Sequence, residues 1–157
     1  MEIIKPTLTD ISALLELWRK QYEYHHNIDS VYYVPFSEEL RQDFESHLLG
    51  AIRDDMPHIL IAKHEENILG FVTFTGDEES YFDTNIKKFG LVIELYVSNE
   101  ARGQGAGKAL MEAAEAYSKS KGLTDIKLSC SSFNKNTLDF YEHIGYTDRQ
   151  RILFKKL

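Results

Sequence analysis

The stretch "ELYVSNEARGQGAGKALMEAA", Glu94–Ala114, sets a carboxylate in an apolar strand and then places Gly103, Gly105 and Gly107 at alternate positions ahead of a helix. It overlaps the run "FGLVIELYV", Phe89–Val97, which is apolar on both faces. Strict alternation predicts Leu91, Ile93, Leu95 and Val97 on one face, with Val92, Glu94 and Tyr96 on the other. A strand buried on both faces belongs in the middle of a sheet covered by helices. After the glycines, Leu110, Ala113, Ala114 and Tyr117 recur at helical spacing until Gly122 stops the helix.

A glycine-rich turn between a central strand and a helix removes side chains where a ligand must approach the backbone. Its free N–H groups and the positive end of the helix dipole suit an anion such as a pyrophosphate. The segment Arg102-Gly103-Gln104-Gly105-Ala106-Gly107-Lys108 adds a cation at each end. Two familiar phosphate loops do not fit. Counting back from Gly107-Lys108, a Walker A loop would need glycine at Arg102 and a hydroxyl at Ala109. The dinucleotide fingerprint needs its third glycine one residue later than Gly107.

Upstream, Thr7 to Asp10 offers capping side chains, and Ile11, Leu14, Leu15 and Trp18 mark the buried face of a first helix. Ser37 is the expected cap of a second helix lined by Leu40, Phe44 and Leu48. "HILIAKHE" and "ILGFVTFTG" read as a hairpin turning at Glu65, Glu66 and Asn67. Downstream, "DIKLSCSS" alternates Ile126, Leu128 and Cys130 against polar residues and reads as a strand. Asn134–Ile144 is expected to be helical, ended by Gly145, and "RILFKKL" is expected to close as a strand. The order, ααβββ running into βαβαβ, describes one α/β domain over residues 1–157.

Composition narrows the function. A net charge of −7 argues against a nucleic-acid binder, which needs a basic face, and suits a pocket for cationic amines. No apolar run reaches membrane-spanning length, and "MEIIKPTLTD" lacks the pattern of a secretory leader. With the single Cys130 this points to a cytoplasmic protein without disulfides. Cys130 is expected as a buried, inert thiol. No metal is expected: the zinc-helix pattern from His64 would need histidine where Ile68 stands, and His25 and His26 form no further motif.

Arg102-x-x-Gly105-x-Gly107 after "ELYV" resembles the R/Q-x-x-G-x-G/A signature of the GNAT superfamily, the acyl-CoA-dependent N-acetyltransferases. "NKNTLDFYEHIGY" is similar to the later family segment, with Asn134, Tyr141 and Gly145-Tyr146 in place. Thr137 replaces the usual alanine, and Asn99 the usual proline. The resemblance implies a mixed, mostly antiparallel sheet flanked by helices on both faces and splayed between its two central strands by a β-bulge. It also implies acetyl-CoA as co-substrate. The pantetheine arm would pair with backbone at Leu95 and Val97 beside Tyr96, the pyrophosphate would rest on Arg102 to Lys108, and Asn134 would contact the cofactor from across the cleft. Tyr141 matches the family's general acid and is counted among the cofactor contacts as well. A homodimer is a state that the resemblance allows.

Direct attack of an amine on a thioester requires a base for the ammonium proton and an acid for the departing thiolate. Glu94 is the candidate base; a strand carboxylate paired to a cation is the plainer reading. Tyr141 is the candidate acid; its place beside Phe140 and Ile144 also suits core packing. Asn134 is equally a helix cap. The resemblance implies that the tyrosine- and acid-rich segments "QYEYHHNIDSVYYV" and "GDEESYFD" flank the acceptor, a small-molecule or peptide amine; a solvated loop with core-facing aromatics is the plainer reading. A non-catalytic acyl-CoA sensor on the same fold is the alternative.

Overall fold

The structure, a computed structural model, describes all residues from Met1 to Leu157. The chain runs β1 (Glu2–Ile4), α1 (Ile11–Ile28), α2 (Glu38–Asp54), β2 (His58–His64), β3 (Asn67–Glu78), β4 (Lys88–Val97), α3 (Ala106–Ser120), β5 (Ile126–Leu128) and α4 (Lys135–His143). The five strands form one sheet in sequence order. The first three junctions are antiparallel and β4–β5 is parallel. No helix is long and apolar enough to cross a membrane.

Local chemistry explains the helix starts. Ser37 Oγ accepts the Leu40 N–H at 3.2 Å and caps α2. Ahead of α1, the Thr7 N–H donates to Asp10 Oδ2 at 2.8 Å, and Lys63 on β2 donates to Asp10 Oδ1 at 3.0 Å. That pair ties the entry of α1 to the sheet. Gly105 opens α3 with φ of 83°, a left-handed value that favours glycine.

Each face of the sheet has its own core. On one, Leu14, Leu17 and Trp18 of α1 and Leu48 of α2 pack on Ile59, Ile61, Phe71 and Tyr96. On the other, Leu110, Met111 and Ala114 of α3 and Tyr141 of α4 pack on Val72, Phe74 and Val92. Full burial of such a side chain contributes about 1.5–3 kcal/mol, so both helix layers are held firmly.

The register of β4 departs from strict alternation. Thr73 pairs with Glu94, but the next residue, Phe74, pairs with Val92, so Ile93 is an extra residue in β4. This bulge turns Ile93 outward to 50% exposure. It also moves Val92 to the α3 face with Leu95 and Val97, while Glu94 and Tyr96 look toward α1. The two-face division expected from alternation therefore holds only downstream of Ile93. β5 pairs with β4 only from Gly90 to Val92, and the two strands part beyond the bulge.

Three further differences from the sequence reading have physical reasons. β1 is only three residues long, too short for a periodic signal. Regular pairing in "DIKLSCSS" ends at Leu128, because β4 bends away there. "RILFKKL" is not a strand: it has no ladder partner, and Ile152 and Leu153 are each 92% exposed.

Gly70 of β3 leaves no room for a side chain beside β4. A Cβ there would collide with the Tyr96 carbonyl oxygen and stand 3.0 Å from Val97 Cα. Backbone cannot yield as a side chain does. Gly70→Ala should therefore lose about 3 kcal/mol, the upper end of overpacking costs, seen as a lower urea midpoint. A midpoint equal to wild type would contradict this packing.

Candidate active site

The parting of β4 and β5 creates a split whose walls carry the residues singled out in the sequence. Glu94 lies on the α1 side, just past the bulge. Trp18 Nε1 donates to Glu94 Oε1 at 3.2 Å, and Thr73 Oγ1 donates to Oε2 at 3.4 Å. No cation pairs with it. Burial raises its pKa above the ordinary 4.5, opposed in part by those two donors. A carboxylate with neutral partners and a raised pKa is equipped to take a proton near neutral pH.

Leu95 and Val97 face α3 and α4 and contribute backbone on the side of the split that β5 has left. Tyr96 is 8% exposed and packs with Phe71 at 6.3 Å. Its ring therefore belongs to the α1 core, and only its main chain borders the opening.

The glycine turn sits at the end of this split. Gly103 and Gly105 have φ of 77° and 83°. Arg102, Gly103, Gln104, Gly105 and Lys108 are exposed, and Ala106 is buried under the first turn of α3. The N–H groups of Gly103 through Lys108 donate to no backbone carbonyl. Such a row of free amides at a helix N-terminus fits a phosphate-bearing ligand. Arg102 Nε donates to the Val97 carbonyl at 3.4 Å, and Gln104 Nε2 to the Glu100 carbonyl at 2.9 Å, so both side chains fold back to brace the turn. A Cβ on Gly107 would stand 3.3 Å from Phe140 Cζ, so a glycine there lets α3 pack closely against the Phe140 ring of α4.

Across the split, Tyr141 is 8% exposed, with ring centroids of Phe140 and Tyr146 at 5.3 and 5.7 Å. Burial pushes its pKa well above the ordinary tyrosine value, so it keeps its proton at neutral pH. Cys130 is half-buried nearby, and burial also raises its pKa, so a reactive thiolate is disfavoured. Asn134 occupies the cap position of α4 but makes no side-chain cap. Its Oδ1 accepts instead from Tyr24 of α1 at 3.0 Å.

The aromatic residues divide. Tyr22 stands 5.3 Å from Trp18 and 6.1 Å from Tyr33, continuing the wall from Glu94 along α1. Tyr81 and Phe82 are 64% and 95% exposed, and Glu79 is paired with Lys127. No ring contact joins the aromatic residues of the segment between β3 and β4 to this wall. Trp18 and Thr73 are site residues that sequence reasoning missed, and Tyr24 was singled out only as part of its tyrosine-rich segment. Trp18 carried a signal: a buried indole N–H needs an acceptor, and Glu94 is one. A separate recess of about 260 Å³ lies at the far end of α3, lined by His58, Phe74, Tyr117 and Lys121 among others. It has no free amide row and none of the residues of the glycine turn or the tyrosine helix, so the split is the better site.

Comparisons with known proteins agree on the fold and the family. The acetyltransferase (GNAT) family pattern matches residues 11–146. An uncharacterized N-acetyltransferase, YhfO of Bacillus subtilis (strain 168), is 23% identical over 94% of this chain and 91% of its own length. The solved structure of a tetramutant of the BH1408 protein from Bacillus halodurans superposes with a TM-score of 0.88 over the full length of both chains at 21% identity. An aminoglycoside 6'-N-acetyltransferase from Acinetobacter haemolyticus gives a TM-score of 0.74, covering 100% of this chain and 98% of its own, at 16% identity. With the bulged fourth strand, the glycine turn and the tyrosine helix all inside the matched span, this chain belongs to the GNAT acetyltransferase family.

Proposed function

We propose that this protein transfers an acetyl group from acetyl-CoA to a primary amine by direct attack within a ternary complex. The observation that carries the reading is a half-buried carboxylate, a buried tyrosine that keeps its proton and a row of free amides, all on elements that border one split. Acetyl-CoA supplies the activated thioester. The amides of Gly103 to Lys108, with the charges of Arg102 and Lys108, hold its phosphates, and the main chain at Leu95 to Val97 orders its arm. Asn134 borders the same cleft. Glu94 takes a proton from the ammonium, directly or through water, because burial has raised its affinity for one. Tyr141 gives its proton to the leaving thiolate, and its raised pKa keeps that proton in place until the sulfur bears charge. No metal is required by these steps.

Thiol released from acetyl-CoA in the presence of a panel of primary amines tests the reading. Tyr141→Phe keeps the ring packing against Phe140 and Tyr146 and deletes only the donor. Its kcat should fall by about 10²–10⁴-fold, the usual contribution of a general acid. A Phe variant at the wild-type rate would return Tyr141 to packing alone, and a wild type that releases no thiol with any amine would overturn the function.

The pH profile isolates Glu94. A base works only when deprotonated, so its raised pKa places the acidic limb of kcat/KM above 4.5. In Glu94→Gln that limb should vanish along with most of the rate. An unchanged limb would assign it to another group.

A further inference from the structure

Beyond Glu94, two buried polar atoms on α1 lack any partner: Gln21 Oε1 and His25 Nδ1. Gln21 is 7% exposed. A buried acceptor left unpaired costs about 1–3 kcal/mol, so two of them one helical turn apart call for an explanation.

Their direction follows from helix geometry. At about 100° per residue, Trp18, His25, Gln21 and Tyr24 succeed one another around α1 within about 120° of arc. Trp18, at one end of that arc, reaches Glu94 on β4. Tyr24, at the other end, reaches Asn134 at the start of α4. Gln21 lies between them in both angle and height, and His25 lies between them in angle about one residue past Tyr24, so both are turned toward the mouth of the split. Tyr33 borders this gap, 5.2 Å from His25, and the Tyr22 ring stands 6.1 Å from Tyr33. Burial lowers the His25 pKa, which keeps the imidazole neutral and able to accept a hydrogen bond.

We propose that Gln21 Oε1, His25 Nδ1 and the Glu94 carboxylate together form the subsite that receives a primary amine on an apolar or aromatic stem. Three acceptors match the donors of an amine or ammonium group, and the perpendicular rings of Tyr22 and Tyr33 provide an aromatic corner for its stem. Gln21 and His25 are positioning and specificity residues here, and Glu94 alone exchanges the proton. This assignment rests on the N-acetyltransfer reading.

The test reads binding rather than turnover. Trp18 is the only tryptophan and donates to Glu94, so its fluorescence reports on the subsite. Titration of the full chain with 2-phenylethylamine should give a saturable change, and 2-phenylethanol should give none. Gln21→Leu and His25→Phe should each weaken amine binding by about tenfold or more, since each deletes an acceptor for a charged donor. Gln21→Glu keeps an acceptor and should retain binding. Equal Kd values in wild type, Gln21→Leu and His25→Phe would overturn the proposal. So would an equal response to the alcohol, or no saturable response in the wild type. If Gln21→Leu melts early, Gln21→Ser poses the same question with a smaller side chain. Thiol release by the wild type decides the transfer reading separately: release with unchanged variant affinities would remove only the subsite.

Discussion

Everything at the candidate site depends on one extra residue, Ile93. Without it, Val92 and Glu94 would share a face and β4 would continue its ladder with β5. With it, the Glu94 carboxylate turns toward α1, Leu95 and Val97 keep to the α3 core, and the parallel pairing stops at Val92. A bulge sacrifices ladder hydrogen bonds and sharpens local twist. Here the loss occurs where strand backbone is left open at the end of the glycine turn, next to the free amides of α3. The sheet is thus weakened at the one place where a ligand could take over its pairing.

The same bulge places an ionisable group where charge is expensive. Desolvating a carboxylate costs several kcal/mol unless partners compensate. Glu94 has two neutral donors and no cation, so the compensation is partial and its pKa rises. On the far wall Tyr141 is desolvated as well, and its pKa also rises. Burial thus raises the proton affinity of both groups. The tie between Tyr24 and Asn134 links α1 to the start of α4 across the opening between these walls.

What the sequence disclosed follows from how local each feature is. The glycine turn was legible because left-handed backbone at Gly103 and Gly105 and close packing at Gly107 demand glycine whatever surrounds them. The helices were legible from periodicity and from caps such as Ser37. The bulge was not, because isoleucine suits a regular strand as well as a bulged one. "RILFKKL" has strand-like composition, yet a strand exists only with a partner, and none lies beside it. Asn134 was read as a cap or cofactor contact because its bonded partner, Tyr24, is 110 residues away. Gln21 and His25 sit on a helix stripe that otherwise reads as core, and only the three-dimensional accounting of hydrogen bonds singles them out.

The central claim, that acetyl-CoA occupies the split opened by the bulge, is tested most directly by amide hydrogen exchange on the full chain with and without acetyl-CoA. Slower exchange should be concentrated in the segments around residues 94–108 and 128–135. Protection confined to the recess around His58 and Tyr117, or no protection anywhere, would contradict it.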